Sequence, residues 1–242
     1  MAREFELRKE VELPATPEEV WLAIATGPGV TAWFRPMEIN PESPVVTTWK
    51  PPHKLTIRAP AAQDGSTHAF EYLVEGRDGG TTVLRFVHSG MLADDWSDEY
   101  EGATSGGWDM YLFTLSQYLR FFCGLPATYV EAQAAVSDRW DRLIRQLGFS
   151  GLGGKVIIDL PDGSHLSGEV DYLNENYVGL RAADGLIRFH ERSAIGLPIA
   201  VSDHHYGAPV ADLEGRAEFW KHWFADVLDP KGATSISRQA TP

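Results

Sequence analysis

The sequence predicts an α+β fold in which a curved antiparallel sheet wraps a long helix, and three stretches carry that prediction. Residues 11–34, VELPATPEEVWLAIATGPGVTAWF, run from a strand into a capped helix, a broken turn and a short aromatic helix. Residues 69–88 hold two segments of alternating apolar and polar character around Asp78-Gly79-Gly80, a tight hairpin signal. Residues 106–122 place Trp108, Leu112, Leu115, Leu119 and Phe122 at helical spacing, with Tyr111 and Tyr118 beside that stripe.

The elements follow in order. In residues 5–13 the odd positions Phe5, Leu7, Val11 and Leu13 are apolar, and the even ones are charged, which marks a half-buried strand. Lys9 interrupts the apolar side and suits a sheet edge. Pro14 ends the strand. Thr16 reads as an N-cap, with Pro17 at the first helical position and Glu19 completing a capping box. Val20, Ala23, Ile24 and Trp21 form the helix's apolar stripe, and Gly27-Pro28-Gly29 is read as its stop. Val30, Trp33 and Phe34 suggest a further short turn facing the core. Beyond Pro36, Pro41 and Pro44, residues 45–49 and 55–58 read as strands flanking the Pro51-Pro52 turn, and residues 63–66 (QDGS) as another turn. Then Phe70, Tyr72 and Val74 share one face, and across the hairpin Leu84, Phe86 and His88 share another. An acidic loop, Asp94, Asp95, Asp98, Glu99 and Glu101, is expected before the long helix.

The second half has a related order. Val136, Trp140, Leu143, Ile144 and Leu147 make an apolar helical stripe with Gly148 as its stop. A glycine-rich turn over residues 150–154 precedes strands at 155–160, 166–173, 177–181 and 186–190, separated by Pro161-Asp162-Gly163, Asn174-Glu175-Asn176 and Asp184-Gly185. A further extended piece spans 199–203. Residues 212–228 close as a helix carrying Leu213, Ala217, Trp220, Phe224 and Val227. Helix, meander and closing helix repeat the first half without its opening strand. We therefore expect three segments: 1–124, a second α+β unit at 125–229, and a flexible tail at 230–242. A single domain with a C-terminal extension is the competing arrangement for a chain of 242 residues.

Composition narrows the function. Apolar residues make up 43% of the chain, enough for a real core, and the formal charge is −13, which argues against tracking nucleic-acid phosphates. No run is long and apolar enough to span a bilayer. The N-terminus MAREFELRKE has no apolar signal core, so a cytoplasmic location is expected. Cys123 is the single cysteine. It lies between Phe122 and Gly124 and is expected to be a buried, inert thiol.

The pieces ATPEEVW, Ala32-Trp33-Phe34, the segment from Trp49 through Lys50-Pro51-Pro52-His53-Lys54 to Leu55, the strand Gly80-Thr81-Thr82-Val83-Leu84 ending at His88-Ser89-Gly90, and Gly107-Trp108 stand in a characteristic order. Over residues 1–124 this resembles the START-like (SRPBCC) superfamily, in particular the subfamily related to the activator of heat-shock protein 90 ATPase. The resemblance implies a helix-grip fold for residues 1–124, and the repeated element order suggests that a second, shortened helix-grip-like unit follows it. It also implies three functional classes: a binder of a lipid or polyketide-like molecule, a chaperone ATPase regulator linked to stress response, and a polyketide cyclase or dehydratase.

Trp33, Trp49, Phe70, Tyr72, Phe86, Trp108, Tyr111, Leu112 and Leu115 are candidates to line a cavity for a small hydrophobic ligand; filling the core is the plainer role for the same residues. His88 is the best single polar candidate on that face, as a weak catalytic acid–base candidate or as a satisfied structural histidine. Tyr72 and Tyr111 could supply hydroxyls. We favour binding over catalysis, with no cofactor. Asp203-His204-His205-Tyr206 invites a metal reading, but neighbouring strand residues face opposite ways and no zinc spacing is present. Gly151, Gly153 and Gly154 lack the lysine and hydroxyl of a phosphate loop, and no nucleophile elbow occurs. Exposed aromatics on the terminal helices could serve a homodimer.

Overall fold

The structure, a computed structural model, describes residues 3–92, 98–136, 138–160, 163, 165–210 and 212–228. Strand β1 (Arg3–Leu13) buries Phe5, Leu7 and Leu13 and exposes Glu4, Glu6 and Arg8, as its alternation requires. Helix α1 (Pro17–Ala25) begins with a full capping box: Glu19 N–H donates to Thr16 Oγ1 at 3.3 Å and Thr16 N–H to Glu19 Oε2 at 2.8 Å. The Gly-Pro-Gly run does more than end α1. It opens a second helix, α2 (Gly27–Thr31), whose N-cap is Thr26, bonded to Gly29 N–H. A Cβ at position 29 would collide with the Leu22 carbonyl oxygen, so the two helices can meet this closely only over glycine.

Strands β2 (Val46–Lys50), β3 (Lys54–Arg58), β4 (Thr67–Gly76) and β5 (Thr82–Leu92) complete an antiparallel sheet in the order β1-β5-β4-β3-β2. Helix α3 (Asp98–Phe121) contributes Trp108, Leu112, Leu115 and Leu119 to one core with Leu55, Tyr72 and Phe86 of the sheet. Lys9, the interruption in β1, lies on an edge strand and is held from α3. Its Nζ is 2.7 Å from Asp109 Oδ1 and 2.7 Å from Ser105 Oγ. The long helix starts earlier than expected: residues 98–101, read as part of an acidic loop, are helical. Acidic side chains are favourable in a helix's first turn, which is why a run that reads as solvated loop can begin one. Asp94 and Asp95 lie outside the described residues.

The second half runs β6 (Ala127–Gln133), α4 (Trp140–Leu147), β7 (Lys155–Asp159), β8 (His165–Leu173), β9 (Tyr177–Ala182), β10 (Gly185–His190), β11 (Ala200–Tyr206) and α5 (Leu213–Leu228). The sheet order is β6-β11-β10-β9-β8-β7. This corrects the expectation that the second half lacks an opening strand: β6 is that strand, and it lies beside the last strand of its meander as β1 lies beside β5. What is shortened is the helical part, 8 and 16 residues in α4 and α5. Val136, expected in the α4 stripe, precedes the helix; Gly148 ends it in the left-handed region at φ 65°. Residues 230–242 and the Pro161-Asp162 part of the expected turn lie outside the described residues.

Contacts divide the chain into two units that are not simple halves. The first comprises Met1–Tyr129 together with Asp184–Leu186 and His204–Val210; the second comprises Val130–Ala183, Ile187–Asp203 and Ala211–Pro242. Within the first unit, the Tyr206 ring stacks on Phe122 at 4.2 Å, and its hydroxyl donates to Ala32 O at 2.7 Å. Within the second, Arg188 and Asp171 form a buried two-pronged ion pair at 2.8 and 3.0 Å. Gly179 lies against this pair, where a Cβ would come within 2.6 Å of both partners.

Cys123 is exposed, contrary to expectation. The side chain after buried Phe122 falls on the outside of the chain as α3 ends. Its thiol pKa is raised by partial burial and by the neighbouring Glu19 carboxylate. The Asp203–Tyr206 run has separate tasks at each residue. Asp203 accepts from Arg216 Nε at 2.7 Å and Trp220 Nε1 at 2.8 Å, and His204 Nδ1 lies 3.1 Å from Thr31 O. Among the described residues no group of three or more His, Cys, Asp or Glu side chains is placed to hold a metal ion.

Candidate ligand-binding site

The inner face of the first sheet is built in rows set by strand register. One row crosses Leu7, His88, Phe70, Ile57 and Val46; the next crosses Lys9, Phe86, Tyr72, Leu55 and Trp49. On the other side of His88, Gly90 stands between Phe5 and His68. With no side chain at Gly90, the Phe5 and His68 rings approach to 5.8 Å. α3 lays Trp108 across these rows, 4.2 Å from the Phe86 ring and 5.8 Å from that of Phe70. Phe34, carried just beyond α2, stacks on Trp108 at 5.4 Å and meets Tyr111 edge-on at 4.6 Å.

Most of the residues singled out in the sequence therefore share one aromatic cluster. Trp33, Leu55, Tyr72, Phe86, Trp108, Leu112 and Leu115 are buried in it, whereas Phe34, Trp49, Phe70 and Tyr111 pack against it and keep part of their surface. Trp49 sits at one side, its ring edge-on to Trp21 at 5.0 Å. Trp33 is almost wholly enclosed, and its indole N–H donates to Ala23 O at 2.9 Å, bracing α1. Burial pushes the Tyr72 phenol well above its usual range, so it stays protonated.

The polar element of the cluster is a chain of three rings. Trp108 Nε1–H donates to His88 Nδ1 at 3.0 Å, and His88 Nε2 lies 3.0 Å from His68 Nδ1. Phe70 stacks on His88 at 4.6 Å and Phe5 meets it edge-on at 4.9 Å. Burial first, and then the second imidazole, push His88 down to a pKa of about 4. His68 is lowered too, by burial, with the Asp64 carboxylate opposing. Both ring nitrogens of His88 are thus engaged, and the ring is neutral at physiological pH. His68, which sequence reading passed over, belongs to the same inner-face alternation two residues before Phe70; extending that alternation by one step would have found it.

Recesses among the described residues lie away from this cluster. A groove of about 500 Å³ in the second unit is bounded by Asp159 and Leu160 and by one face of α5, with Phe219, His222 and Trp223 among its walls. His222, there at the surface of α5, places Nδ1 2.8 Å from Glu218 O. A polar recess of about 150 Å³ lies on the outer face of the first sheet, among Glu6, Arg8, Arg58 and Glu71.

No protein-family model matches the chain, and no curated protein does. Among solved structures, the di-domain ARO/CYC BexL from the BE-7585A biosynthetic pathway is similar at 12% identity over 93% of this chain and 99% of its own, with a TM-score of 0.41. DynU16, from the dynemicin biosynthetic locus, is similar at 16% identity over 92% and 96%, with a TM-score of 0.39. The Aha1 dimer from Colwellia psychrerythraea is similar at 16% identity over 48% of this chain and 96% of its own, with a TM-score of 0.38. Strand, paired helices, meander and long helix, with the first strand beside the last of the meander, give the first unit a helix-grip fold.

Proposed function

We propose that the first unit binds a small hydrophobic molecule, planar and polyketide-like or lipid-like, against the aromatic cluster between the sheet and α3. The observation that carries this reading is the set of four rings, Phe34, Trp49, Phe70 and Tyr111, that pack on the buried core yet remain partly exposed. Large aromatic faces left partly uncovered gain from an apolar ligand at roughly 25 cal/mol per Å² covered, and ring stacking adds direction. Binding rather than turnover is favoured because His88 has no idle ring nitrogen with which to take or give a substrate proton.

Tryptophan fluorescence titration against fatty acids and polycyclic aromatic compounds tests the proposal, with native mass spectrometry of the protein as isolated. Saturable quenching is expected. Phe34→Ala and Tyr111→Ala should each weaken it by about tenfold, the loss associated with removing a central aromatic contact. Failure of every compound to bind the native chain, at concentrations where each is soluble, would remove the reading.

A further inference from the structure

The polarity of the three-ring chain is set from its buried end. An indole nitrogen can only donate. Trp108 Nε1–H donates to His88 Nδ1, so that nitrogen must be the bare, accepting one. A neutral imidazole carries one proton, so His88 is protonated on Nε2. That N–H points at His68 Nδ1, 3.0 Å away, which must in turn accept. His68 therefore carries its proton on Nε2. The opposite polarity would set an N–H against the Trp108 N–H inside a buried cluster, leaving unpaired donors at a cost of about 1–3 kcal/mol each.

The chain thus ends in a donor. Among the described residues no hydrogen-bond acceptor engages His68 Nε2; Asp64 influences the ring through its charge. His68 is half-buried, on the same strand face as Phe70, and opposite Gly90, across which the Phe5 ring meets it edge-on at 5.8 Å. We infer that His68 is the specificity-determining polar contact of the hydrophobic-ligand site, donating Nε2–H to an acceptor oxygen, such as a ketone or quinone carbonyl, on an otherwise apolar planar ligand. This rests on the binding reading above and narrows it: an unsubstituted hydrocarbon would gain the ring contacts and lose the hydrogen bond.

Two measurements separate this inference from the reading beneath it. Long-range ¹H–¹⁵N correlation spectra of the full chain near neutral pH should show His68 and His88 both as Nε2–H tautomers. A His68 protonated on Nδ1 would overturn the inference whatever binds. The second measurement compares fluorene with fluorenone, which share a shape and differ by one carbonyl. Fluorenone should bind the native chain about fivefold more tightly, the effect of one net hydrogen bond. The gap should close in His68→Phe, whatever that variant does to the affinity for fluorene itself. It should also narrow in Trp108→Phe, which removes the donor that orients the chain while leaving His68 in place. Equal affinity of the native chain for both compounds would overturn the role of His68 and leave the hydrophobic site standing. Binding of neither compound, nor of any other apolar one, would remove both.

Discussion

His88 makes folding stability depend on pH in a defined direction. Its pKa is about 4 in the folded chain against an ordinary 6.5, so in acid the unfolded chain takes up a proton that the folded one refuses. Stability is then full above about pH 6.5 and falls as the pH drops toward 4, by up to roughly 3 kcal/mol for this group alone. His68, also lowered, acts in the same sense. Urea unfolding at pH 7.5, 5.5 and 4.5 should show the decline, and His88→Gln should flatten it; an unchanged pH slope in that variant would assign the decline elsewhere. Cys123 offers a second residue-scale check. Its exposed thiol is raised by partial burial and by Glu19, so alkylation near pH 8 should be slow, and Glu19→Gln, which preserves the capping box, should speed it several-fold. Much of the aromatic cluster was legible at this scale. His88 and the aromatic rings fall on alternating or helical faces that local sequence displays. That His88 is locked between an indole and a second imidazole was not, because His68 and Trp108 reach it from a neighbouring strand and from α3, pairings that no local pattern encodes.

At the scale of single elements, the α1–α2 junction is the tightest test of local sequence against packing. Gly29→Ala would drive a methyl group into the Leu22 carbonyl and the Thr26 hydroxyl that caps α2, so a loss of about 2 kcal/mol or more is expected. Thr16→Ala, which only removes the cap of α1, should cost about 1 kcal/mol. Thermal melts of the two variants should rank them in that order; the reverse would mean that the junction opens readily. The capped helix, the hairpin at Asp78-Gly79-Gly80 and the meanders were readable because each rests on short-range chemistry. β6 was not. In Ala127–Gln133 the inward residues are Val130 and small Ala132, after a proline, which locally resembles a helix start; its strand character comes from pairing with β11, some seventy residues away. The start of α3 was hidden by Gly102 and by the Gly106-Gly107 pair, at which the expected helix opens but which lies well inside the 24-residue helix.

Across the whole molecule, the first unit is completed by a distant stretch of chain, and this limits where it can be cut. His204–Val210 belongs to that unit, and Tyr206 is its anchor: 3% exposed, stacked on Phe122 and on Tyr118, with its hydroxyl on the Ala32 carbonyl just before Trp33. A fragment ending at residue 124 would uncover both ring faces and leave that carbonyl to water. It should be less stable than the same residues in the full chain and lose amide protection first in α2 and in the last turns of α3. In the full chain, Tyr206→Phe removes only the hydrogen bond and should cost about 1 kcal/mol, whereas Tyr206→Ala also opens a cavity and should cost about 3–5 kcal/mol. Arg188→Met supplies the contrast. It leaves Asp171 buried without its partner, so its loss, also about 3–5 kcal/mol, should appear in the amides of β8–β10 around Gly179. Hydrogen exchange by mass spectrometry reads both patterns in one experiment. Full protection of α2 and α3 in the 1–124 fragment would show that Tyr206 is dispensable to the first unit, and that the proposed ligand site can be studied without the second half of the chain.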